Sequence, residues 1–262
     1  MNLVIAREEL KAIIRHWPMW FVLGTQDIQL RYRRSTLGPF WITISMAVSI
    51  YCMGFLYGHL FKMELNTYFP YLASGIIGWG YLSTLILEGS NVFLESEGYI
   101  KNQESYMSIF VMRMILRNSI IFAHNLIVFI PIMFVCHVGI SFKLLLIIPG
   151  LFIIWTNVMT WGTVIAILGT RYRDFAQIVV SLVQVIFFLT PIMWMPNLLP
   201  DRYQWIVMAN PFYQFLNLIR APLLNTTLSL ESILVIAGAS LLGFILYGLF
   251  LQRYKSRIVF WI

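Results

Sequence analysis

The sequence has little charge. Of its 262 residues, 11% are Asp, Glu, Lys or Arg, and 60% are apolar or aromatic. About a quarter of the residues in an ordinary soluble domain are charged, and its surface needs that polarity to face water. Two cysteines, 16 glycines and 10 prolines are also too few for a disulfide-rich, collagen-like or low-complexity chain. We therefore predict an integral membrane protein.

The sequence also lacks the residues that catalysis needs. It has three aspartates, and none lies in a long apolar segment. None of its four histidines has a second histidine or a carboxylate at metal-ligand spacing on the same helix, and no Gly-x-Ser-x-Gly motif occurs. We expect neither a catalytic nor a metal site, and we interpret His124 and Glu88 as interhelical or interfacial contacts.

A phosphate-binding loop of the form Gly-x4-Gly-Lys-Ser/Thr is missing as well. So are carboxylates at the middle of an apolar segment, which are typical of proton-coupled and sodium-coupled carriers. If this chain moves a substrate against a gradient, we expect the energy to come from a separate subunit.

Six segments are long and apolar enough to cross a bilayer, which takes about 20 helical residues. Lipid offers no hydrogen-bond partner to a bare amide, so each segment must be helical. The sequence predicts one all-α membrane domain over residues 1–262, with an amphipathic interface helix in residues 1–36 and spans at residues 37–60, 71–94, 119–138, 144–168, 175–195 and 232–251.

The basic residues are unevenly distributed between the connections. Fourteen of the 18 Lys and Arg residues fall on the side that holds both termini. Cytoplasmic loops are enriched in these residues, so both termini are predicted to be cytoplasmic. We interpret the net charge of +7 as an orientation signal and expect no nucleic-acid partner.

Three segments outside the spans have distinct patterns. The N-terminal segment is amphipathic, which predicts a helix in the inner interface, a soluble cytoplasmic helix being the alternative. Residues 95–118 expose aromatic side chains that would dock into another protein or pack on the chain's own helices. Residues 190–222 contain five of the ten prolines, which predicts broken helices dipping into the bilayer or an interfacial flap.

Four motifs, in order along six spans, carry a resemblance. They are Arg31-Tyr32-Arg33-Arg34-Ser35-Thr36-Leu37-Gly38-Pro39-Phe40-Trp41, the weaker Gly75-Ile76-Ile77-Gly78-Trp79, Gly169-Thr170-Arg171-Tyr172-Arg173-Asp174-Phe175, and Asn210-Pro211-Phe212. With them the chain resembles the permease subunit of ABC transporters that export bacterial surface polysaccharides (O-antigen, capsule and teichoic acid), which belong to the type-2 permease family.

The resemblance implies a multi-pass protein of the bacterial inner membrane. Two copies of the permease would form the channel, and two copies of a separate subunit would bind ATP and Mg²⁺, so no cofactor is expected in this chain. The cargo would be a polysaccharide on a lipid carrier, undecaprenyl diphosphate in O-antigen systems. Residues 95–118 would hold the coupling helix, and residues 190–222 would form re-entrant gate helices.

The candidate site residues fall into four groups. Aromatic rings stack on sugars, which makes Tyr51, Phe55, Tyr57, Phe187, Phe188 and Trp194 candidates for the substrate path, although most such rings face lipid or neighbouring helices. Arg31, Arg33 and Arg34 are candidates for the carrier diphosphate. Contact with the ATPase is assigned to Tyr99, Ile100, Lys101, Glu104, Arg171, Arg173 and Asp174, and the outer gate to Pro191, Pro196, Pro211 and Phe212. For Asp174 a helix cap is the alternative.

Two other functions remain open at this point. The first is a drug or small-lipid exporter of the same superfamily. The second is an integral-membrane glycosyl or acyl transferase, which the shortage of acid, base and metal-binding groups disfavours.

Overall fold

A computed structural model describes residues 4–33, 38, 40–60, 62–102 and 106–262. The described residues contain no β-strand, which confirms the all-α class. The α-helices in this part are α1 (Val4–Arg15), α2 (Trp17–Arg31), α3 (Phe40–Leu60), α4 (Leu65–Gly89), α5 (Val92–Glu95), α6 (Glu97–Asn102), α7 (Met107–Leu126), α8 (Phe129–Val135), α9 (Ile147–Asn157), α10 (Thr163–Arg171), α11 (Phe175–Leu189), α12 (Gln204–Ala209), α13 (Pro211–Leu223) and α14 (Leu230–Trp261).

Five helical segments of the described chain are long and apolar enough to cross a membrane. They are Phe40–Leu60, Leu65–Gly89, Met107–Val135, Phe142–Arg171 and Leu230–Trp261. The fourth includes a π-helical turn, Val158–Gly162. The predicted span at residues 175–195 corresponds to α11, whose 15 residues extend for only about 22 Å. The chain is thus a multi-pass membrane protein, and the count of six spans stays a prediction.

Several predicted boundaries differ from the structure: the second span, predicted at residues 71–94, is the helix Leu65–Gly89. Two other differences have a common cause. The second half of the segment 95–118 belongs to α7, which begins at Met107, so the connection before it is short. The last helix continues to Trp261, ten residues beyond the predicted end of the span at 251. In both places charged residues lie within the helix. A search for apolar runs ends a span at such residues, although their backbone groups still form helical hydrogen bonds.

The N-terminal segment forms two helices rather than one. The break falls at His16, and Pro18 occupies the first turn of α2, where its missing N–H costs no helical bond. Helix α2 runs along α7, and a side chain at Gly24 would meet Leu116 at 3.0 Å and the Arg113 carbonyl at 3.1 Å. Location of these helices in the membrane interface stays a prediction.

Helix α4 is the centre of the bundle. In its most apolar stretch 61% of the residues are buried, against 17–33% in the other four candidate spans. It packs against α3, α7, α11 and α13. Helix α13 runs antiparallel to it, because Phe212 contacts Trp79 midway along α4 while Arg220 contacts Tyr71 near its start.

Candidate functional site

A cluster of ionic side chains joins α2, α4 and α7. Arg113 donates to both carboxylate oxygens of Asp27, at 2.8 and 2.6 Å. Arg117 donates to Asp27 at 3.1 Å and to Glu88 at 2.7 Å, and Arg31 lies 3.7 Å from Glu88. The carboxylates of Asp27 and Glu88 balance most of this positive charge, so the arginines at the start of α7 are folded into the protein.

The charges in this cluster shift two pKa values in opposite directions. Burial tends to raise the pKa of Asp27, but the hydrogen bonds and charges of Arg113 and Arg117 outweigh it, so the pKa is below its ordinary value. The pKa of Glu95 is raised by burial and by the negative charge of Glu88, against the attraction of Arg117. The arginines therefore favour the charged form of Asp27, whereas burial disfavours the charged form of Glu95.

Helix α1 is fixed by a second buried acid. Glu9 is fully buried, accepts from the Ser108 amide at 3.0 Å and its hydroxyl at 2.9 Å, and lies 2.7 Å from Lys255 Nζ. The Ser108 amide belongs to the first turn of α7, where a carboxylate is favoured by the helix dipole. Glu9 therefore connects α1 to α7 and α14, a role that no local sequence signal indicated.

The predicted ATPase contacts separate into exposed and buried residues. Tyr99 is 41% exposed and lies beneath the Arg113 guanidinium, and Lys101 pairs with Glu97 on the surface. Ile100 is only 4% exposed, because the short helix α6 packs it into the core of this chain. Ile100 is thus unavailable to a partner. This burial agrees with the alternative that the segment packs on the chain's own helices. Glu104 lies outside the described residues.

The charged residues of the turn between α10 and α11 are all exposed. The Arg171 guanidinium lies over the rings of Tyr254 and Trp261, at 5.8 and 5.1 Å, so it fixes the end of α14. Arg173 and Asp174 are exposed. Asp174 precedes α11 without forming a side-chain cap, so the capping alternative is wrong in this structure.

The basic motif before α3 is only partly described. Arg31 pairs with Glu88, and Arg33 is exposed. Arg34 and most of the residues that follow, with Pro39, lie outside the described residues. Gly38 has a φ of 53°, a conformation that favours glycine and redirects the chain before α3.

The six path aromatics are not gathered into one pocket. Phe55 and Phe188 are about two-thirds exposed, and Tyr51 lies beside Phe69 at 5.5 Å. Tyr57 is half-buried on α3, and Trp194 is half-buried in the segment after α11. Phe187 packs on Trp79 at 6.0 Å. An apolar cavity of about 330 Å³ lies between α4, α10, α13 and α14, lined by other residues.

Of the predicted gate residues, Pro211 and Phe212 lie at the start of α13. Pro211 is its first residue, and the Asn210 side chain accepts from the Phe212 and Tyr213 amides at 2.9 and 3.3 Å. Pro196 begins a short 3-10 turn, and Phe212 lies edge-on to Trp79. The motif Asn210-Pro211-Phe212 is therefore a helix start seated against the middle of α4.

Pro191 belongs to a polar site that the sequence did not indicate. Arg220 of α13 is 3% exposed and donates to the Pro191 carbonyl at 2.8 Å, the Ile192 carbonyl at 3.3 Å and the Tyr71 hydroxyl at 3.0 Å. Its guanidinium lies 4.0 Å from the centre of the Tyr71 ring. Tyr68 adds a hydrogen bond to the Met193 carbonyl at 2.7 Å. An arginine in an apolar stretch was the one available signal.

The Gly75–Trp79 motif has a packing role at this site. A side chain at Gly75 would collide with the Arg220 guanidinium and would lie 2.7 Å from the Ile192 carbonyl. One at Gly78 would meet Leu216 of α13 at 2.5 Å. The two glycines therefore let α13 approach α4 closely.

Known proteins provide an independent comparison. The profile of the ABC-2 type transporter family matches residues 19–224, well over half of the chain. Two proteins described as "O-antigen export system permease protein RfbA" from Klebsiella pneumoniae are similar to it. One is 22% identical over 217 residues, covering 82% of this chain and 83% of the relative, and the other is 23% identical over 221 residues, covering 83% and 85%. From the family match, this chain belongs to the ABC-2 type transporter family.

Proposed function

We propose that the chain is the permease subunit of an exporter that moves a lipid-linked surface polysaccharide, O-antigen foremost, out of the bacterial cytoplasm. The observation that carries this proposal is the similarity to two O-antigen export permeases along more than four-fifths of both chains. The family implies an ATP-binding partner, and the sequence has no phosphate-binding loop of its own. ATP and Mg²⁺ are accordingly placed on a separate subunit.

The proposed topology has six crossings and cytoplasmic termini. Helix α11 together with residues 190–195 would form the fifth crossing, and α12 and α13 would form the re-entrant pair. The start of α13 beside Trp79, halfway along α4, supports a helix that begins within the bilayer. The exposed rings of Phe55 and Phe188 are apolar surface that a second permease copy or lipid would cover. Two copies of each subunit are proposed.

The proposed contact with the ATPase involves the exposed residues Tyr99, Lys101, Arg173 and Asp174. Arg33, with its exposed guanidinium, and the neighbouring Arg34 are proposed for the carrier diphosphate, with undecaprenyl diphosphate as the carrier. Arg31 is already paired with Glu88, so its part in that contact requires exchange of partners.

Substitution at the docking surface tests the partnership. Tyr99→Glu places a charge where a packed contact is proposed, and we expect co-purification of the ATPase to fall by about tenfold or more. Tyr203→Glu is the matched control, since Tyr203 is 40% exposed against 41% for Tyr99 and lies on the predicted opposite side. Equal ATPase recovery with both variants would remove the docking assignment. Turnover of a glycosyl or acyl donor by the purified chain alone would favour the transferase alternative instead.

A further inference from the structure

Residues 191–194 form a partly buried stretch of chain that is not helical, so helical hydrogen bonds do not hold its carbonyl groups. Thr190 and Ile192 are fully buried on either side of Pro191. Buried backbone in a membrane protein requires partners from its own protein, because lipid supplies none. The four consecutive carbonyls of residues 191–194 obtain theirs from side chains.

In the described part of the chain, three side chains provide these bonds. Tyr71 donates to the Pro191 carbonyl at 2.9 Å and to the Trp194 carbonyl at 3.2 Å. Tyr68 donates to the Met193 carbonyl, and Arg220 to those of Pro191 and Ile192. Helices α4 and α13 thus hold this segment through their side chains.

Arg220 is held in an unusual way for a buried cation. Each of its three acceptors is neutral: two carbonyl oxygens and the Tyr71 hydroxyl. Its Nε group is buried and has no hydrogen-bond partner among the residues that the structure describes. A buried arginine normally pairs with a carboxylate, which makes a contact that is hard to separate at low dielectric. Separating Arg220 from neutral acceptors costs less free energy than separating it from a carboxylate, since water or phosphate oxygens can accept the same hydrogen bonds.

We propose that Arg220, with Tyr71 and Tyr68, is a latch that fastens residues 191–194 to α4, keeps the outer end of the substrate path closed at rest, and releases during transport. The latch rests on the proposed function, because it requires a path that opens. Arg220 is a positioning residue in this scheme: it acts through the backbone of residues 191–192.

Gly75 supports the same assignment from the opposite face of the contact. The guanidinium and the Ile192 carbonyl both occupy the space that a side chain at this position would need. Latch closure therefore depends on a glycine here, and adding a methyl group at residue 75 should hold the segment away from α4.

A permeability measurement tests the latch without reference to any glycan. The full chain is reconstituted into liposomes that contain a self-quenching polar dye, and dye release is followed without ATP. We expect Arg220→Gln to raise release by about tenfold, since loss of charge-assisted hydrogen bonds shifts the closed-to-open ratio by at least that factor. Arg220→Lys should fall between, because one ammonium cannot reproduce the fork that spans both carbonyls.

Arg202→Gln is the matched control, since Arg202 is exposed and its guanidinium lies over the Tyr203 ring in the same connection. Its dye release should equal that of the wild type. If Arg220→Gln does not insert, Tyr71→Phe removes the hydroxyl shared by Arg220, Pro191 and Trp194 and is expected to leak in the same way. A folded Arg220→Gln or Tyr71→Phe protein as tight as Arg202→Gln would overturn the latch.

The outcomes separate the latch from the proposed function. Leaky variants of a chain that exports no surface glycan would keep the latch and remove the assigned cargo. Tight variants of a chain that does export glycan would keep the cargo and remove the latch.

Discussion

At the scale of single residues, Asp27 is the acid that connects α2 to α7. It accepts three hydrogen bonds from Arg113 and Arg117, and its side chain is 11% exposed. Removing one partner of a buried ionic contact leaves uncompensated charge, which costs far more than the intact contact contributes. The attachment of α2 to α7 therefore depends on this carboxylate.

We expect Asp27→Asn to lower the free energy of unfolding by about 3 kcal/mol, because two arginines lose their anion. The lowered pKa of Asp27 adds a pH dependence: its stabilisation is complete above the ordinary value of 3.8 and is lost as pH falls through the lowered pKa. Thermal unfolding in detergent at pH 7 and at acid pH measures both effects.

Glu95→Gln is the control in the same cluster. The pKa of Glu95 is raised, so its charged form is disfavoured in the folded protein, and neutralising it should leave stability unchanged or slightly higher. A loss of stability equal to that of Asp27→Asn would contradict the account of the cluster.

At the scale of elements, the close approach of α13 to α4 depends on glycine. We expect Gly75→Ala to destabilise the protein by about 1–3 kcal/mol, the usual cost of overpacking, since the new methyl group collides with the Arg220 guanidinium and the Ile192 carbonyl. Unfolding followed by loss of detergent-stable protein on heating measures the change.

Gly98 provides the matched control for that substitution. It lies in α6, and no atom of the described residues comes within 4 Å of the position of an added methyl group. Gly98→Ala should stabilise the protein slightly, since alanine is the better helix former. If both variants behaved alike, contact between α4 and α13 would not be the reason for glycine at residue 75.

Hydropathy predicted an apolar segment at each of the five candidate spans, because lipid imposes one rule on every crossing segment, whatever its neighbours are. Hydropathy did not assign the first turns of α7 to a helix, because the charged residues Arg113 and Arg117 are typical of a loop. Their acidic partners Asp27 and Glu88 are what make these arginines compatible with a packed helix. Those acids lie 86 and 29 residues away along the chain. Tyr71, a partner of Arg220, is 149 residues away, so the local pattern marks only the arginine and not the site that it forms.

At the scale of the whole molecule, low charge and family membership point to the same division of labour. The described residues contain no group of three or more His, Cys, Asp or Glu side chains that could hold a metal ion. The ionic side chains that are present connect helices to one another. In the proposed account this chain forms the path, and a partner subunit supplies the energy.

Glycan analysis of a strain that lacks this chain tests the central claim most directly. Radiolabelled sugar is followed into surface polysaccharide and into lipid-linked polysaccharide inside the cell, with the intact chain returned on a plasmid as the control. We predict that the surface pool disappears, that the lipid-linked pool accumulates inside, and that the plasmid restores both. An unchanged surface pool, or loss of both pools together, would contradict the proposed export function.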